Sequence, residues 1–281
     1  MQGKNHYQMS KEYAILIPVD FTQVSDSAVN YVLGMSQKIK LTITLLHIVE
    51  KDNEIQLAEN KFLAFKANFD FGAVNVTTKV IKGNFLEDIG KVSKTLESSL
   101  IVMGTHGERG MQKVFGSNAL KVVSNSKIPL IIVQETTHYS EIKTIAMTID
   151  LEKESIQIVK SAATLAKSFN AKILLVGGKH EDSAFKQKVN TNMLLCKDYL
   201  INNDINHEFH FLERKNFDQN FIEFCKEQQV DMLSATYYMQ TFYAFSDKFV
   251  QHLITNELNI PLITIDSTAT TSNSQYSFMS V

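Results

Sequence analysis

Short apolar runs alternate with longer amphipathic stretches along this chain, and the alternation predicts strands and helices in turn. In its first half, strands are predicted at residues 14–19, 42–49, 77–81, 100–103 and 130–133. Helices are predicted between them at residues 25–38, 53–69, 85–96 and 117–124. Strands that alternate with helices favour a mainly parallel sheet with helices on both faces.

The same pattern recurs in the second half of the chain. The segment YAILIPVD, residues 13–20, aligns with KTIAMTID, residues 143–150, and both are apolar strands that end in aspartate. Further on, KIPLIIV (127–133) aligns with NIPLITI (259–265), although the chain has only three prolines. The repeat indicates a tandem duplication. We predict domains at residues 1–137 and 138–266, followed by a Ser/Thr-rich tail at 267–281.

The fold class that follows is α/β, with two tandem, mainly parallel five-stranded sheets flanked by helices. Ligands of open α/β sheets bind at the carboxyl ends of strands, near the switch in strand order. Asp20 and Gly104 both end predicted strands in the first half. We therefore expect these two residues to face one crevice.

A glycine-rich loop follows the fourth predicted strand, in the run LIVMGTHGERGMQKVFGS at residues 100–117. A strand, a Gly-rich loop and a helix N-terminus together form a typical anion site, because loop amides and the helix dipole favour negative charge. The chain has neither GxxxxGK[ST] nor GxGxxG after its first strand, which excludes a Walker A loop and argues against a dinucleotide Rossmann site. The alternative is that the glycines only turn the chain tightly.

Composition narrows the function classes. The net charge of −2 on 281 residues gives no basic field for nucleic acid or an anionic membrane. The chain has two cysteines and no CxxC spacing, so we expect reduced thiols and a cytoplasmic protein. We expect neither a signal peptide nor a membrane span. No catalytic triad, acidic pair or His/Cys cluster stands out, and we predict no catalytic or metal-binding residue.

The chain resembles the universal stress protein family. The resemblance rests on PVDFTQVSDSAVNYV (18–32), TLLHIVE (44–50), Gly83 before a helix, VMGTHG (102–107), GSNALKVV (116–123) and IPLIIV (128–133). It implies a stress-response protein that binds an adenine nucleotide, ATP or AMP, with Mg²⁺ accompanying ATP only. It also implies that the last strands, IPLIIV and IPLITI, pair as an intramolecular pseudo-dimer, while a homodimer stays open.

The resemblance assigns a nucleotide site to the first half. The adenine would lie against Pro18, Val19 and Asp20, with Ile48 lining the base pocket. Ribose and phosphates would be held by Met103, Gly104, Gly107, Gly116, Ser117, Asn118 and Ala119. Family members that bind ATP have nine residues between the second and third motif glycines, whereas this chain has eight. A slow ATPase or nucleotide hydrolase and a ligand-free interaction module stay open as alternatives.

In the second half, the matching motif positions are occupied by Thr236, Met239 and Lys248, none of them glycine. We therefore expect any nucleotide to bind the first half only, and Asp150 to be structural. The second loop is aromatic instead. Its rings either fill a vestigial cleft or form a partner-binding surface, and they are Tyr237, Tyr238, Phe242, Tyr243, Phe245 and Phe249.

Overall fold

The computed structural model describes residues 12–105, 115–238 and 247–268, and for residues 115–118 and 247 it describes the backbone alone. The strands are β1 Tyr13–Pro18, β2 Leu41–Val49, β3 Asn75–Lys82, β4 Leu100–Thr105, β5 Leu130–Gln134, β6 Thr144–Ile149, β7 Lys172–Gly178, β8 His207–Leu212, β9 Met232–Tyr237 and β10 Leu262–Asp266. The α-helices are α1 Gln23–Ser36, α2 Ile55–Lys66, α3 Phe85–Thr95, α4 Phe115–Asn125, α5 Val159–Phe169, α6 Ser183–Asn202, α7 Phe217–Glu227 and α8 Asp247–Ile254.

The described strands form one ten-stranded sheet with the order β3-β2-β1-β4-β5-β10-β9-β6-β7-β8. The α/β class is confirmed, but the two five-stranded sheets of the sequence prediction are continuous. They join where β10 pairs antiparallel with β5, with Leu262 opposite Ile132 and Thr264 opposite Leu130. These strands contain LIIV and LITI, the last four residues of the segments IPLIIV and IPLITI that were expected to pair. Every other neighbouring pair of described strands is parallel.

Each half of the sheet has the same strand order, counted from its own first strand. In the first half, β2 and β3 extend to one side of β1, and β4 and β5 extend to the other. The switch in strand order therefore lies between β1 and β4, which are direct parallel neighbours. A crevice at the carboxyl ends of such strands is the usual ligand position in open α/β sheets.

Helices cover both faces of the sheet, and each face has an apolar core that extends through both halves. Buried side chains of α1, α2, α5 and α6 form one core, exemplified by Val32, Phe62 and Leu165. Those of α3, α4, α7 and α8 form the other, exemplified by Ile89 and Phe221. Strands buried on both sides explain why the sequence shows continuous apolar runs instead of strict alternation.

The helix predicted at residues 53–69 is shorter than expected. It begins as a 3₁₀ turn, Asp52–Glu54, in which the Glu54 carboxylate accepts a hydrogen bond of 3.1 Å from the Lys51 amide. It ends as α2 at Lys66, ahead of a turn in which Gly72 has a φ of 51° and donates its amide hydrogen to Asp70. Glycine adopts that left-handed conformation without the steric cost of a side chain.

The segment between the halves is packed onto the first half. The Tyr139 ring lies against α1 where Gly34 has no side chain, and an added Cβ there would overlap the ring. The same ring meets Tyr31 edge to face, with 5.6 Å between the ring centroids. The expected boundary near residue 138 thus falls in an anchored segment. None of the described helices is long and apolar enough to span a bilayer.

Candidate functional site

The candidate site lies at the carboxyl ends of β1 and β4, on either side of the switch in strand order. Asp20 follows β1 by two residues and is exposed to solvent. Gly104 lies within β4, one residue before its end, and is partly exposed. The first turn of α1 contacts both of them, because Ser25 hydrogen-bonds to Asp20 and the Val24 carbonyl group lies against Gly104.

One carboxylate oxygen of Asp20 organises the turn that leads into α1. Asp20 Oδ1 accepts hydrogen bonds from the Thr22 amide at 2.9 Å, from Thr22 Oγ1 at 2.6 Å and from Ser25 Oγ at 2.6 Å. The Asp20 amide in turn donates to Ser25 Oγ over 2.9 Å. The hydrogen bond from the Thr22 amide to the Asp20 side chain, two residues earlier, forms an Asx turn, which explains why aspartate is suited to this position.

These contacts also change the acidity of Asp20. Partial burial alone would raise the pKa of its carboxyl group. The hydrogen bonds from Ser25 and Thr22 together lower the pKa by more than burial raises it, so the pKa of Asp20 is below its usual value. The pKa of Asp26 is raised instead, by burial and by the charge on Asp20. The site therefore presents an ionised carboxylate at neutral pH.

Gly104 is glycine for a packing reason. A Cβ built on Gly104 would overlap the carbonyl oxygen of Val24 in α1. The absence of a side chain therefore allows helix α1 to approach strand β4 closely. The family resemblance implies that this glycine contacts ribose and phosphate, whereas its contact with α1 was not predicted.

The other residues of the predicted site fall into three groups. The side chains of Pro18, Val19, Met103 and Ala119 are buried, so only their backbone could face a ligand. Ile48 is half-buried and packs against the core on the α4 side of the sheet. Residues 116–118 belong to the first turn of α4, whereas Gly107 lies outside the described residues, as do His106 and Gly110.

Two aromatic residues next to the site were not predicted to take part. Phe21 has a φ of 63°, which is rare for a residue with a side chain. Its ring lies 4.6 Å from the His47 ring and 5.0 Å from the Phe62 ring, measured between centroids. His47 Nδ1 donates to the Val19 carbonyl oxygen over 2.6 Å. Packing of Phe21 on His47 and Phe62, together with the His47 hydrogen bond to Val19, therefore fixes the turn at Asp20. The sequence signal for this turn was Asp-Phe-Thr directly before a predicted helix.

The matching position in the second half is closed. Asp150 is 4% exposed, and its main-chain carbonyl accepts a hydrogen bond of 2.8 Å from the buried amide of Asn192. Thr236 is also buried and donates its hydroxyl hydrogen to the Ser155 carbonyl over 3.0 Å. Tyr238 is 3% exposed, and burial, followed by the charge of Asp150, raises the pKa of its phenol. Asp150 is thus enclosed by the fold.

The described rings of the second loop are buried. Tyr237, Tyr238 and Phe249 are each at most 6% exposed, and Phe249 packs about 6 Å from Phe217 and Phe221 between ring centroids. This agrees with filling of the structure and not with an exposed patch formed by these three rings. The remaining positions of the prediction, Met239, Phe242, Tyr243 and Phe245, lie outside the described residues.

Among residues 12–105, 115–238 and 247–268, no group of three or more His, Cys, Asp or Glu side chains is arranged to hold a metal ion. Cys196 and Cys225 are buried free thiols, and burial raises the pKa of both well above the usual value. Neither is therefore suited to act as a nucleophile at neutral pH.

Comparison with known proteins identifies relatives. Residues 50–134 match the model of the universal stress protein family. A universal stress protein from Methanocaldococcus jannaschii is 21% identical over 150 residues, which covers 47% of this chain and 85% of the relative. A solved universal stress protein from Archaeoglobus fulgidus superposes with a TM-score of 0.72 at 15% identity, over 90% of this chain and 98% of the other. A functionally unknown protein from Pseudomonas aeruginosa superposes with a TM-score of 0.58 at 9% identity, over 90% and 92% of the two chains.

Proposed function

This chain is a member of the universal stress protein family, and from that premise we propose that it is a non-catalytic stress-response protein that binds one adenine nucleotide. The binding site is the crevice at the carboxyl ends of β1 and β4 in the first half. The observation that carries the proposal is the exposed carboxylate of Asp20 at the switch in strand order, on the edge of the sheet from which β4 leads to α4. This is where open α/β sheets bind their ligands.

The second half contributes structure and no nucleotide site in this proposal. Its matching aspartate is buried and its matching glycine is Thr236, which engages Ser155. The equal strand order of the two halves supports a tandem duplication, with domains at 1–137 and 138–266. The pairing of β5 with β10 makes the two domains an intramolecular pseudo-dimer. We further propose a cytoplasmic location, on the two unpaired, buried cysteines.

The proposal is tested by titration calorimetry with AMP, ADP and ATP, the last with and without Mg²⁺. We expect at most one site per chain. Gly116→Val should abolish binding, because a branched side chain at the start of α4 fills space that a phosphate group needs. Lys248→Val is the matched control, since Lys248 takes the corresponding place in the second half and is exposed.

The outcomes separate the competing functions. Two equivalent sites, or full binding by Gly116→Val, would contradict the proposal. Phosphate release from ATP that disappears in Asp20→Asn would favour a slow nucleotide hydrolase. A protein that releases no nucleotide on heating, and binds none in the calorimeter, would favour a ligand-free interaction module.

A further inference from the structure

The two halves differ in how the first helical segment meets the sheet. In the first half, Gly104 lies directly beneath the first turn of α1 and in contact with the Val24 carbonyl group. In the second half, the side chain of Thr236 stands between strand and helical segment, and its hydroxyl group donates to the Ser155 carbonyl. A side chain therefore separates the two elements in the second half only.

The helical segment that follows the aspartate also differs in helix type between the two halves. α1 is an α-helix from Gln23, three residues after Asp20. In the second half, Lys153–Ile158 is a 3₁₀ helix, and α5 begins only at Val159. A 3₁₀ helix is narrower than an α-helix and is common where a helix end is constrained. The bulk of Thr236 and its hydrogen bond supply such a constraint.

The serine in this first turn contacts a different oxygen in each half. Ser25 Oγ donates to the side-chain carboxylate of Asp20 over 2.6 Å. The matching serine, Ser155, directs its hydroxyl to the main-chain carbonyl of Asp150, at a long 3.5 Å. Asp20 is exposed, whereas Asp150 is buried. The half in which the first helical turn contacts a strand glycine is thus also the half in which the aspartate is exposed.

We propose that Gly104 is a positioning residue, which seats α1 on β4 and thereby presents the Asp20 carboxylate to the ligand. Thr236 prevents the same seating in the second half and leaves Asp150 enclosed. Gly104 acts through α1 and does not need to touch a phosphate group. The ligand, an adenine nucleotide, is taken from the proposed function, whereas the seating of α1 does not depend on it.

The seating is tested by a carbon-13 NMR titration of the Asp20 carboxyl group. In Gly104→Ala, α1 must move away from β4, Ser25 leaves the carboxylate, and the pKa of Asp20 should rise towards its ordinary value of about 3.9. Gly177→Ala is the control, because it adds a methyl group to β7 of the other half. The added Cβ would lie 3.0 Å from Val189 Cγ1. An unchanged Asp20 pKa in folded Gly104→Ala overturns the proposal.

The titration and a binding measurement separate this proposal from the proposed function. If the wild-type protein binds AMP, Gly104→Ala should weaken binding at least tenfold and Gly177→Ala should not; equal weakening by both contradicts the positioning role. If the wild-type protein binds no AMP, the proposed function fails, while the Asp20 titration still decides the role of Gly104.

If Gly104→Ala does not fold, the reverse variant Thr236→Gly tests the same helix–strand contact in the second half. Thr236→Gly removes atoms and creates no overlap. In a crystal structure of Thr236→Gly, α5 should begin N-terminal to Val159 and approach β9. A first turn that stays in the 3₁₀ form, at its original distance from β9, overturns the proposal.

Discussion

At the scale of single residues, the aspartates that end the first strand of each half show how little local sequence determines their surroundings. Both follow apolar strands, and both precede a serine by five residues. Asp20 is exposed and accepts three hydrogen bonds at one oxygen, whereas Asp150 is buried and its main-chain carbonyl accepts a hydrogen bond from the side chain of Asn192. The difference arises from residues distant in sequence, which no inspection of the strand itself can weigh.

The carboxylate of Asp20 should make folding stability depend on pH. Its pKa is lower in the folded protein than in the unfolded chain, so its contribution is fully present above the unfolded value of about 3.9 and is lost as the pH falls through the folded pKa. At pH 7, Asp20→Asn should lower the free energy of unfolding by about 0.3–1 kcal/mol, the usual range for an anion at an exposed helix N-terminus.

Urea unfolding of both proteins at pH 7 and pH 2.5 measures this effect. The difference between wild type and Asp20→Asn should shrink at the lower pH. Gln187→Ala, which removes an exposed, uncharged side chain from α6, is the control, and its effect on stability should not vary with pH. A difference for Asp20→Asn that is constant with pH would contradict the hydrogen-bonded, ionised role of this group.

The buried ring of Phe249 should contribute strongly to stability. It is 6% exposed and packs against Phe217 and Phe221, so Phe249→Ala should cost about 3–5 kcal/mol, since a large cavity is left in the core. Phe211, which is 40% exposed in the edge strand β8, is the control, and Phe211→Ala should cost far less. Denaturant unfolding measures both, and equal losses would reject the filling role of the second loop.

At the scale of elements, the sequence predicted which segments are strands and helices better than it predicted helix ends and the contacts between helices and strands. Apolar runs such as residues 100–103, which lie within β4, identified the buried strands, because burial on both faces requires continuous apolar residues. The 3₁₀ segment Lys153–Ile158 was not predicted, and within it the Ser155 carbonyl accepts a hydrogen bond from Thr236, about eighty residues away. The close approach of α1 to β4 at Gly104 was also missed, because a glycine that permits packing looks identical to a glycine that turns a loop.

The packing of Tyr139, from the segment between the two halves, on α1 gives a prediction at this scale. Replacing glycine by alanine inside a helix normally stabilises by about 1 kcal/mol. Gly34→Ala should instead destabilise, by roughly 1–3 kcal/mol, because the new methyl group overlaps the Tyr139 ring. The double variant Gly34→Ala with Tyr139→Ala should lose less than the sum of the two single variants. Additive losses in this cycle would show that the two residues do not interact.

At the scale of the whole molecule, the two halves share more than a boundary. The β5–β10 pair makes the sheet continuous, and each apolar core contains residues from both halves. Polar contacts also cross between the halves, since Gln134 Nε2 donates to the Asn256 carbonyl oxygen over 2.7 Å in a buried setting. On the other face of the sheet, the Tyr13 hydroxyl group lies 2.8 Å from Ser168 Oγ.

These shared cores predict that the two halves unfold together. Separating them would expose the apolar edges of β5 and β10 and remove the partner of the buried Gln134 side-chain amide, which is unfavourable for each half alone. Hydrogen exchange of backbone amides in β1 and in β6 should therefore follow one denaturant-dependent opening, although the two halves have the same strand order. Phe249→Ala, whose ring lies in the second half, should lower the protection of β1 and β6 amides by the same free energy. Two transitions, or a loss confined to β6, would mean that each half is stable independently and that the central β5–β10 pair is a contact between two folded units.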